Sequence, residues 1–331
     1  MTERGIYYRI KQPGREKGWS LPFREELWKW REAMDLKKYL REKKRIVDEA
    51  LERYLPEEEG APPSLNKAMR YSLFAEGKRI RPILAIAAFE AVGGKGEKVL
   101  PFACALEMIH AYSLIHDDLP AIDNDDFRRG QLTSHKVFGE GIAILTGDAL
   151  LTEAFRVMTD PRHFSEIEKD AVLILEVVNE IAWAAGLQGM VGGQVVDVES
   201  EGKAVDLSTV EYIHSRKTGA MIRVSVRVGA RLGGAQGEAL EALTRYGECA
   251  GLAFQVMDDI LNVEGDAQVL GKSIGSDREK RKATYPSLLG MEESKQRARR
   301  LVTQAVESLS PFGEEAEPLR EIARFILSRA Y

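Results

Sequence analysis

Apolar residues recur at three- and four-residue spacing along almost the whole chain after Asp35. Between Leu36 and Leu55 they alternate with charged side chains in this rhythm, which is typical of an amphipathic helix. Further long segments of this kind are predicted as helices over residues 100–116, 137–157, 166–187, 207–228 and 238–263. Several of them are apolar around most of their circumference, which predicts that they are buried at the centre of the molecule.

Alternating runs and hairpin signals are almost absent, as is any alternation of strands with helices. We therefore predict an all-α fold, a single large helical domain over residues 35–331. Length alone, at 331 residues, would favour about two domains, but the helical pattern shows no internal boundary. Residues 1–34 differ from the rest, because three of the four tryptophans lie there among glycines and prolines. We treat them as an N-terminal extension of unassigned role.

Composition excludes several classes of protein. The chain is 44% hydrophobic and 30% charged, as expected of a globular protein, and its net charge of −5 argues against nucleic acid as a partner. The two cysteines, Cys104 and Cys249, are too few for a disulfide framework or a cysteine zinc site, and fit a reducing cytosol. Neither a secretory signal nor an apolar run of membrane-spanning length is present, so we predict a cytoplasmic protein with no membrane partner.

The densest chemical feature is an acidic segment directly after the apolar helix predicted at 100–116. Five aspartates lie between residues 117 and 126, and Arg128 and Arg129 follow them. Like charges at the end of a buried helix repel one another unless cations compensate them. Mg²⁺ binds carboxylate oxygens and in turn binds phosphates, so we expect a metal site here. Pro120 cannot extend the helix regularly, which predicts that Asp123 folds back from a turn.

A second acidic pair, Asp258-Asp259, lies on another apolar helix, with Asn262 on the same face as Asp258. Such a pair alone is more often a solvated helix face than a site, but two acidic clusters could face each other across a cavity and bind several metal ions. Cations that could bind phosphate recur near helix ends. These are Lys78, Arg79, Arg81, Arg128, Arg129, Lys217, Lys272, Arg278 and Lys282.

The order of these motifs resembles that of the trans-isoprenyl diphosphate synthases. The matching segments are Gly77-Lys78-Arg79-Ile80-Arg81-Pro82, the Asp117 cluster with Arg128-Arg129-Gly130, Gly193-Gln194, Lys217-Thr218-Gly219 and Phe254-Gln255 leading to Asp258-Asp259. The resemblance covers about residues 35–331. It is strongest to the bacterial farnesyl diphosphate synthases, because four residues separate Asp118 from Asp123.

The resemblance implies an isoprenoid synthase fold around a central apolar cavity, a homodimer, and the condensation of an allylic diphosphate with isopentenyl diphosphate. It also implies about three Mg²⁺ ions per active site, held by Asp117, Asp118, Asp123 and Asp258. The allylic diphosphate would be bound by Arg128, Lys217, Thr218, Gln255, Lys272 and Lys282. Isopentenyl diphosphate would be bound by Lys78, Arg81, His110 and Arg129. The catalytic set implied is Asp117, Asp118, Asp123, Asp258, Arg128 and Lys217.

Product length should depend on residues about one helical turn before Asp117. Tyr112 and Ser113 occupy this position, where a growing chain that descends along the helix would meet them. In this family an aromatic residue there accompanies short products. We therefore predict farnesyl diphosphate, with geranylgeranyl diphosphate as the alternative; Tyr112 could also be a simple core residue.

Two alternative functions from other classes of protein remain possible interpretations of the sequence. A terpene cyclase also uses aspartate-rich metal motifs, although Lys78, Arg81 and the Arg128-Arg129 pair argue against it. A non-catalytic regulatory subunit of a prenyl synthase is the second, because Asn262 stands where the second motif of the family usually has its third aspartate. We expect that Asn262 weakens metal binding there, since it keeps an oxygen but loses a charge.

Overall fold

The computed structural model describes residues 34–55, 60–164, 167–264 and 283–328. The secondary structure in these ranges is almost entirely helical, so the all-α prediction is confirmed. The α-helices are α1 Leu36–Tyr54, α2 Pro63–Leu73, α3 Ile80–Ala91, α4 Leu100–Asp117, α5 Ser134–Phe138, α6 Glu140–Thr159, α7 Ile167–Ala185, α8 Met190–Ser200, α9 Leu207–Ile213, α10 Ala220–Leu232, α11 Gly237–Glu264, α12 Tyr285–Leu289, α13 Met291–Ser308 and α14 Glu317–Ser328.

Short elements of other types connect the helices. Strand β1, Phe127–Arg128, pairs antiparallel with β2, Gln131–Leu132, in a two-stranded hairpin that the sequence did not predict. Two 3₁₀ helices span Pro161–His163 and Glu314–Ala316, and a π-helix spans His214–Gly219. The hairpin was missed because two-residue strands are too short to show an alternating pattern.

Two of the predicted long helices are interrupted. The segment 137–157 is divided between α5 and α6 because Gly139 adopts a φ of +84°, a left-handed conformation that ends a helix. The segment 207–228 is divided into α9, the π-helix and α10. The prediction of one continuous helix was therefore wrong for both segments, although both segments are helical.

Helix α4 lies at the centre of the fold, as its apolar sequence predicts. It packs against α6 on one side and contacts α1, α2, α3 and α10 on the others. The side chains of Phe102, Leu106, Met108 and Ile109 have no accessible surface. A helix buried on all sides must bring its polar residues to its end or pair them internally, and this constraint determines where the site forms.

Helices α3 and α10 approach each other closely enough to touch through their backbones. A Cβ atom on Gly229 of α10 would lie 1.9 Å from the carbonyl oxygen of Ala85 on α3, so only glycine permits this packing.

None of the helices in the described ranges is long and apolar enough to cross a membrane. The described residues from Leu36 onward belong to one compact unit. The extension predicted for residues 1–34 falls almost wholly outside the described residues.

Candidate active site

The first acidic cluster is delivered by the end of the buried helix α4. The helix ends at Asp117, and the backbone N–H of Asp123 donates a 2.8 Å hydrogen bond to the carbonyl oxygen of Asp117. The N–H of Asn124, which has a φ of +53°, donates to the carbonyl oxygen of Leu119. The chain after Pro120 therefore turns back on the helix end, as predicted, and brings Asp123 beside Asp117.

Asp118 is buried and holds an arginine in place. The Nε atom of Arg128 donates to both carboxylate oxygens of Asp118, at 2.6 and 2.8 Å, and its Nη2 atom also contacts Oδ1. Burial lowers the pKa of Arg128, but the hydrogen bonds and charge of Asp118 outweigh burial and raise it overall. The turn between β1 and β2, in which Arg129 and Gly130 both have positive φ, presents Arg128 to this carboxylate.

Asp117 lies in a crowded electrostatic environment. Burial raises the pKa of its carboxyl, and the neighbouring carboxylates of Asp123 and Asp118 raise it further. The charges of Lys217 and Arg128 act in the opposite direction. A half-buried carboxylate with a raised pKa beside other acids is a group that a cation would stabilise.

Lys217 reaches this acidic cluster from the π-helix, a hundred residues further along the chain. Its Nζ atom donates a 2.7 Å hydrogen bond to Oδ2 of Asp197 on α8. A Cβ atom on Gly193 of α8 would lie 2.3 Å from the backbone nitrogen of Lys217. The glycine of the Gly193-Gln194 motif thus allows α8 to pack directly on the π-helix that carries Lys217 and Thr218.

The residues predicted to bind isopentenyl diphosphate lie around the middle of α4. Arg81, on the first turn of α3, and Arg129 both act on His110 of α4: burial lowers the pKa of His110 well below its usual value, and these two arginines lower it further. The guanidinium of Arg129 lies against Gly77, where a Cβ atom would be 2.5 Å from its Nη1 atom. Lys78 is exposed beside them. The structure therefore brings a neutral histidine and several cations together.

Arg79, between two predicted ligands, has a structural role instead. It is buried in a left-handed conformation with a φ of 51° at the start of α3. Its guanidinium donates to Asp48 Oδ1 at 2.8 Å, Glu107 Oε1 at 2.9 Å and the carbonyl oxygen of Leu73 at 2.9 Å. Sequence reasoning counted Arg79 with the anion-binding cations and missed Glu107, because Glu107 belongs to no motif and only its burial in an apolar helix marks it.

The two members of the second acidic pair have different roles. Asp259 is buried, and its Oδ2 atom accepts hydrogen bonds from His214 Nε2 at 3.0 Å and from the backbone N–H of Tyr285 at 2.9 Å. These contacts join α11 to the π-helix and α12. Asp258 acts instead on Arg81, whose pKa its negative charge raises. The sequence assigned His214 no role, and the structure shows that it anchors Asp259.

Tyr112 lies in the core close to Asp117. The side chain is only 7% exposed, and its ring contacts that of His116 edge-on with 5.7 Å between the ring centroids. Burial and the nearby charge of Asp117 raise the pKa of Tyr112 to about 12, so the phenol stays protonated. Ser113 donates its hydroxyl to the carbonyl oxygen of His110, and His116 bonds the carbonyl oxygen of Ile144.

Some of the predicted ligands lie outside the described residues, and others are located only by their position on a helix. Lys272, Arg278 and Lys282 fall in residues 265–282, outside the described residues. Gln255 and Asn262 lie on α11 one turn before and one turn after Asp258. Within the described ranges no three histidine, cysteine or carboxylate side chains converge as a ready-made metal site. This arrangement still suits Mg²⁺, which is usually held by one or two carboxylates and completes its shell with water and substrate phosphates.

The all-α fold agrees with comparisons to known proteins. The sequence profile described as polyprenyl synthetase matches residues 62–320, and the chain therefore belongs to the polyprenyl synthetase family. It is 49% identical over 267 residues to a farnesyl diphosphate synthase of Geobacillus stearothermophilus, covering 80% of this chain and 88% of the relative. It is 47% identical over 293 residues to a geranylgeranyl diphosphate synthase of Cyanophora paradoxa, covering 88% and 95%.

The structural comparison agrees with the sequence relatives. The crystal structure of an FPP/GFPP synthase from Zymomonas mobilis matches with a TM-score of 0.78 and 37% identity, covering 88% of this chain and 98% of that one. The chain is thus a short-chain trans-prenyltransferase with the isoprenoid synthase fold, similar to bacterial farnesyl diphosphate synthases. Its relatives divide between farnesyl and geranylgeranyl diphosphate synthases.

We expect the substitution Asp117→Asn to stabilise the metal-free protein at neutral pH by up to about 1 kcal/mol, because it removes a half-buried charge beside two other acids. The pKa of Asp117 is raised in the folded chain, so the wild type loses stability as the pH rises through that folded pKa. The stability difference between the variant and the wild type should therefore grow from acidic to neutral pH. Thermal unfolding in EDTA measures it.

Asp126→Asn is the matched control for this experiment, because Asp126 is an exposed aspartate of the same loop. Its effect on the free energy of unfolding should stay within about 0.5 kcal/mol at every pH. A lower unfolding temperature for Asp117→Asn than for the wild type at neutral pH would contradict the electrostatic account of this site.

Proposed function

We propose that the enzyme condenses isopentenyl diphosphate with dimethylallyl or geranyl diphosphate to give farnesyl diphosphate and inorganic diphosphate. One observation carries this proposal: the helix α4 carries two polar groups with different charged surroundings. Its end carries the acidic cluster facing Lys217, and its middle carries His110 among arginines. Two sites of different chemistry suit a reaction that binds two diphosphates, one through metal ions and one through cationic side chains.

Members of this family generally depend on Mg²⁺, and we propose that Asp117, Asp118, Asp123 and Asp258 hold about three of these ions. The fit rests on the carboxylates grouped at the end of α4, where burial and then the neighbouring acids Asp123 and Asp118 raise the pKa of Asp117. Asp118 already pairs with Arg128, so its contribution includes holding that arginine. When bound, Mg²⁺ would stabilise the negative charge that develops on the departing diphosphate.

The side chains around the acidic cluster would bind the allylic diphosphate. Arg128 is oriented by Asp118, and Lys217 is oriented by Asp197. A guanidinium with a fixed orientation matches phosphate oxygens well and loses little freedom on binding. We propose that Thr218, Gln255, Lys272 and Lys282 complete this group.

Isopentenyl diphosphate would be bound by Lys78, Arg81, His110 and Arg129. The depressed pKa of His110 keeps its imidazole neutral at neutral pH, so it can donate one hydrogen bond to a diphosphate oxygen without adding to the repulsion among the arginines. The positive charges would fix the diphosphate end of the substrate and leave its double bond free to react.

The reaction then needs a dry region beside the two diphosphates. When the allylic carbon–oxygen bond breaks, the electron pair leaves with diphosphate, and the double bond of isopentenyl diphosphate attacks the resulting cation. A proton is then lost, and we propose that the departing diphosphate accepts it. The buried apolar residues of α4 before Asp117 would exclude water that could otherwise trap the cation.

Release of inorganic diphosphate tests the function directly. We expect release only when isopentenyl diphosphate, an allylic diphosphate and Mg²⁺ are all present, with farnesyl diphosphate as the main product by chromatography. Geranylgeranyl diphosphate as the main product would support the alternative of a longer-chain synthase. No turnover with any allylic substrate would instead support a non-catalytic regulatory subunit.

We expect Tyr112→Ala to lengthen the product. Removal of the ring opens space below Asp117, where the growing chain would otherwise stop, so geranylgeranyl or longer diphosphates should become a major product. Product chromatography after labelling with isopentenyl diphosphate measures the shift. Tyr112→Phe, which keeps the ring, is the matched control and should leave the product unchanged; an unchanged product from Tyr112→Ala would remove Tyr112 from the chain-length role.

We propose that the enzyme acts as a homodimer that covers an apolar face of α6 and α7. Ile144 and Leu145 on α6 are exposed, as are Val172, Leu175 and Trp183 on α7. The spacing of the three α7 residues places them on one side of the helix. Large apolar side chains grouped in this way are typical of a protein–protein interface.

Leu175→Glu should convert the dimer to a monomer, because it places a charge on a leucine that is 67% exposed in the single chain and would be buried between two copies. Light scattering after size-exclusion chromatography gives the mass in solution. Leu288→Glu makes the same change on α12, at a leucine that is 39% exposed, and should leave the mass of the dimer intact. A wild-type protein that is monomeric at all concentrations would refute the dimer.

We propose a cytoplasmic location, with small prenyl diphosphates as the binding partners. The two cysteines support this location, because both Cys104 and Cys249 are free thiols, as expected in a reducing compartment. The substrates follow from the family to which the chain belongs.

A further inference from the structure

Glu107 is a buried acid in the middle of the apolar helix α4. Its side chain is 3% exposed, and its carboxylate pairs with Arg79 at 2.9 Å. It lies three residues before His110, on the same face of the helix and one turn further from the acidic end. Neither the acidic cluster nor the mechanism described above uses this carboxylate, although a buried acid has a substantial cost unless cations surround it.

Cations do surround Glu107. The guanidinium groups of Arg79 and Arg129 meet at Gly77, where a Cβ atom would be 3.1 Å from Nη1 of Arg79 and 2.5 Å from Nη1 of Arg129. A cavity of about 50 Å³ is lined by Glu107, His110, Arg79, Arg129 and Arg128, among others. Asp118 lines the same cavity but is paired with Arg128, so Glu107 is a second carboxylate among these guanidiniums.

The charge of Glu107 acts on both arginines that we propose as ligands of isopentenyl diphosphate. Burial lowers the pKa of Arg81, and Glu107 is foremost among the charges that raise it. The same holds for Arg129, whose pKa burial and the repulsion from Arg79 and Arg128 lower. Arg81 and Arg129 also repel each other. Asp258 also acts on Arg81, and Asp118 also acts on Arg129, but Glu107 is the negative charge that the two arginines share and that offsets their mutual repulsion.

We propose that Glu107 is a positioning residue for the isopentenyl diphosphate site, which holds Arg81 and Arg129 converged on one anion. The inference rests on the proposed function of that site. The proposal predicts that neutralising Glu107 changes the affinity for isopentenyl diphosphate in the direction opposite to simple electrostatics. A negative charge near an anion site ordinarily weakens anion binding. If Glu107 only lay near the site, its neutralisation would strengthen the binding of isopentenyl diphosphate; if it positions the arginines, its neutralisation weakens that binding.

The test is steady-state kinetics of Glu107→Gln in the full-length enzyme, with each substrate varied in turn. We expect the KM for isopentenyl diphosphate to rise roughly tenfold, while the KM for the allylic diphosphate and kcat stay within about threefold of the wild type. The conservative variant Glu107→Asp should restore much of the wild-type KM for isopentenyl diphosphate, because it keeps the charge.

Asp48→Asn is the matched control. Asp48 is the other carboxylate paired with Arg79, but it is not among the charges that influence Arg81 or Arg129. If Glu107 acts only by anchoring Arg79, Asp48→Asn should raise the same KM as Glu107→Gln does, and the proposal would be overturned. We expect Asp48→Asn to leave both KM values unchanged, whatever its effect on the unfolding temperature.

The remaining outcomes are also decisive. A lower KM for isopentenyl diphosphate in Glu107→Gln, or an equal rise in both KM values, refutes the positioning role.

If Glu107→Gln does not fold, as judged by circular dichroism, Glu107→Asp is used for the test instead. Withdrawal of the charge by one methylene should then raise the KM for isopentenyl diphosphate alone, and a fall or an equal change in both values overturns the proposal. A wild-type enzyme without turnover would refute the proposed function instead.

Discussion

The structure depends on the compensation of charge at a helix that is buried on all sides. Helix α4 fills the centre of the fold with apolar side chains, yet it carries Glu107, Asp117 and the adjoining Asp118. Carboxylates are costly in such surroundings unless cations or hydrogen bonds meet them. The elements around α4 therefore contribute arginines and a lysine, and the proposed active site lies among these charged groups.

The two adjacent carboxylates of each acidic motif have different surroundings. Asp118 is paired with Arg128, whereas Asp117 keeps a raised pKa among other acids. Asp259 is fixed by His214 and the backbone of Tyr285, whereas Asp258 acts on Arg81. A doubled aspartate thus lets one residue fix a neighbouring element while the next residue lies among other charged groups. The fixed partner gives the surrounding backbone and side chains a defined geometry.

Much of the fold could be predicted from the sequence, because helical periodicity repeats over many residues. The turn that returns Asp123 to Asp117 could also be predicted, since Pro120 limits the possible conformations. The two-residue hairpin, in contrast, leaves no periodic signal. Gly139 ends α5 through a positive φ, a conformation that the sequence permits but does not require. Local signals of this kind depend on tertiary packing for their outcome.

Sequence reasoning is weakest where neighbouring residues of one type have different partners. Arg79 and Arg81 are two residues apart in one basic motif, but Arg79 donates to Asp48, Glu107 and the carbonyl oxygen of Leu73, whereas the Nε atom of Arg81 is buried without a hydrogen bond. Sequence spacing cannot tell which arginine pairs with distant carboxylates, because this depends on the left-handed conformation of Arg79 at the start of α3. Glu107 was missed for the same reason, since its partners come from distant elements.

The π-helix between α9 and α10 has a consequence for the phase of the two helices. A π turn accommodates one more residue than an α turn, so the side chains before His214 are rotated by about 100° relative to those after Gly219 compared with a continuous helix. The side of α10 that faces the core is therefore not fixed by the side of α9 that faces it. The π-helix therefore changes the direction in which side chains point along this segment. Lys217 can bind Asp197 and lie near the acidic cluster, while α10 keeps its close packing against α3.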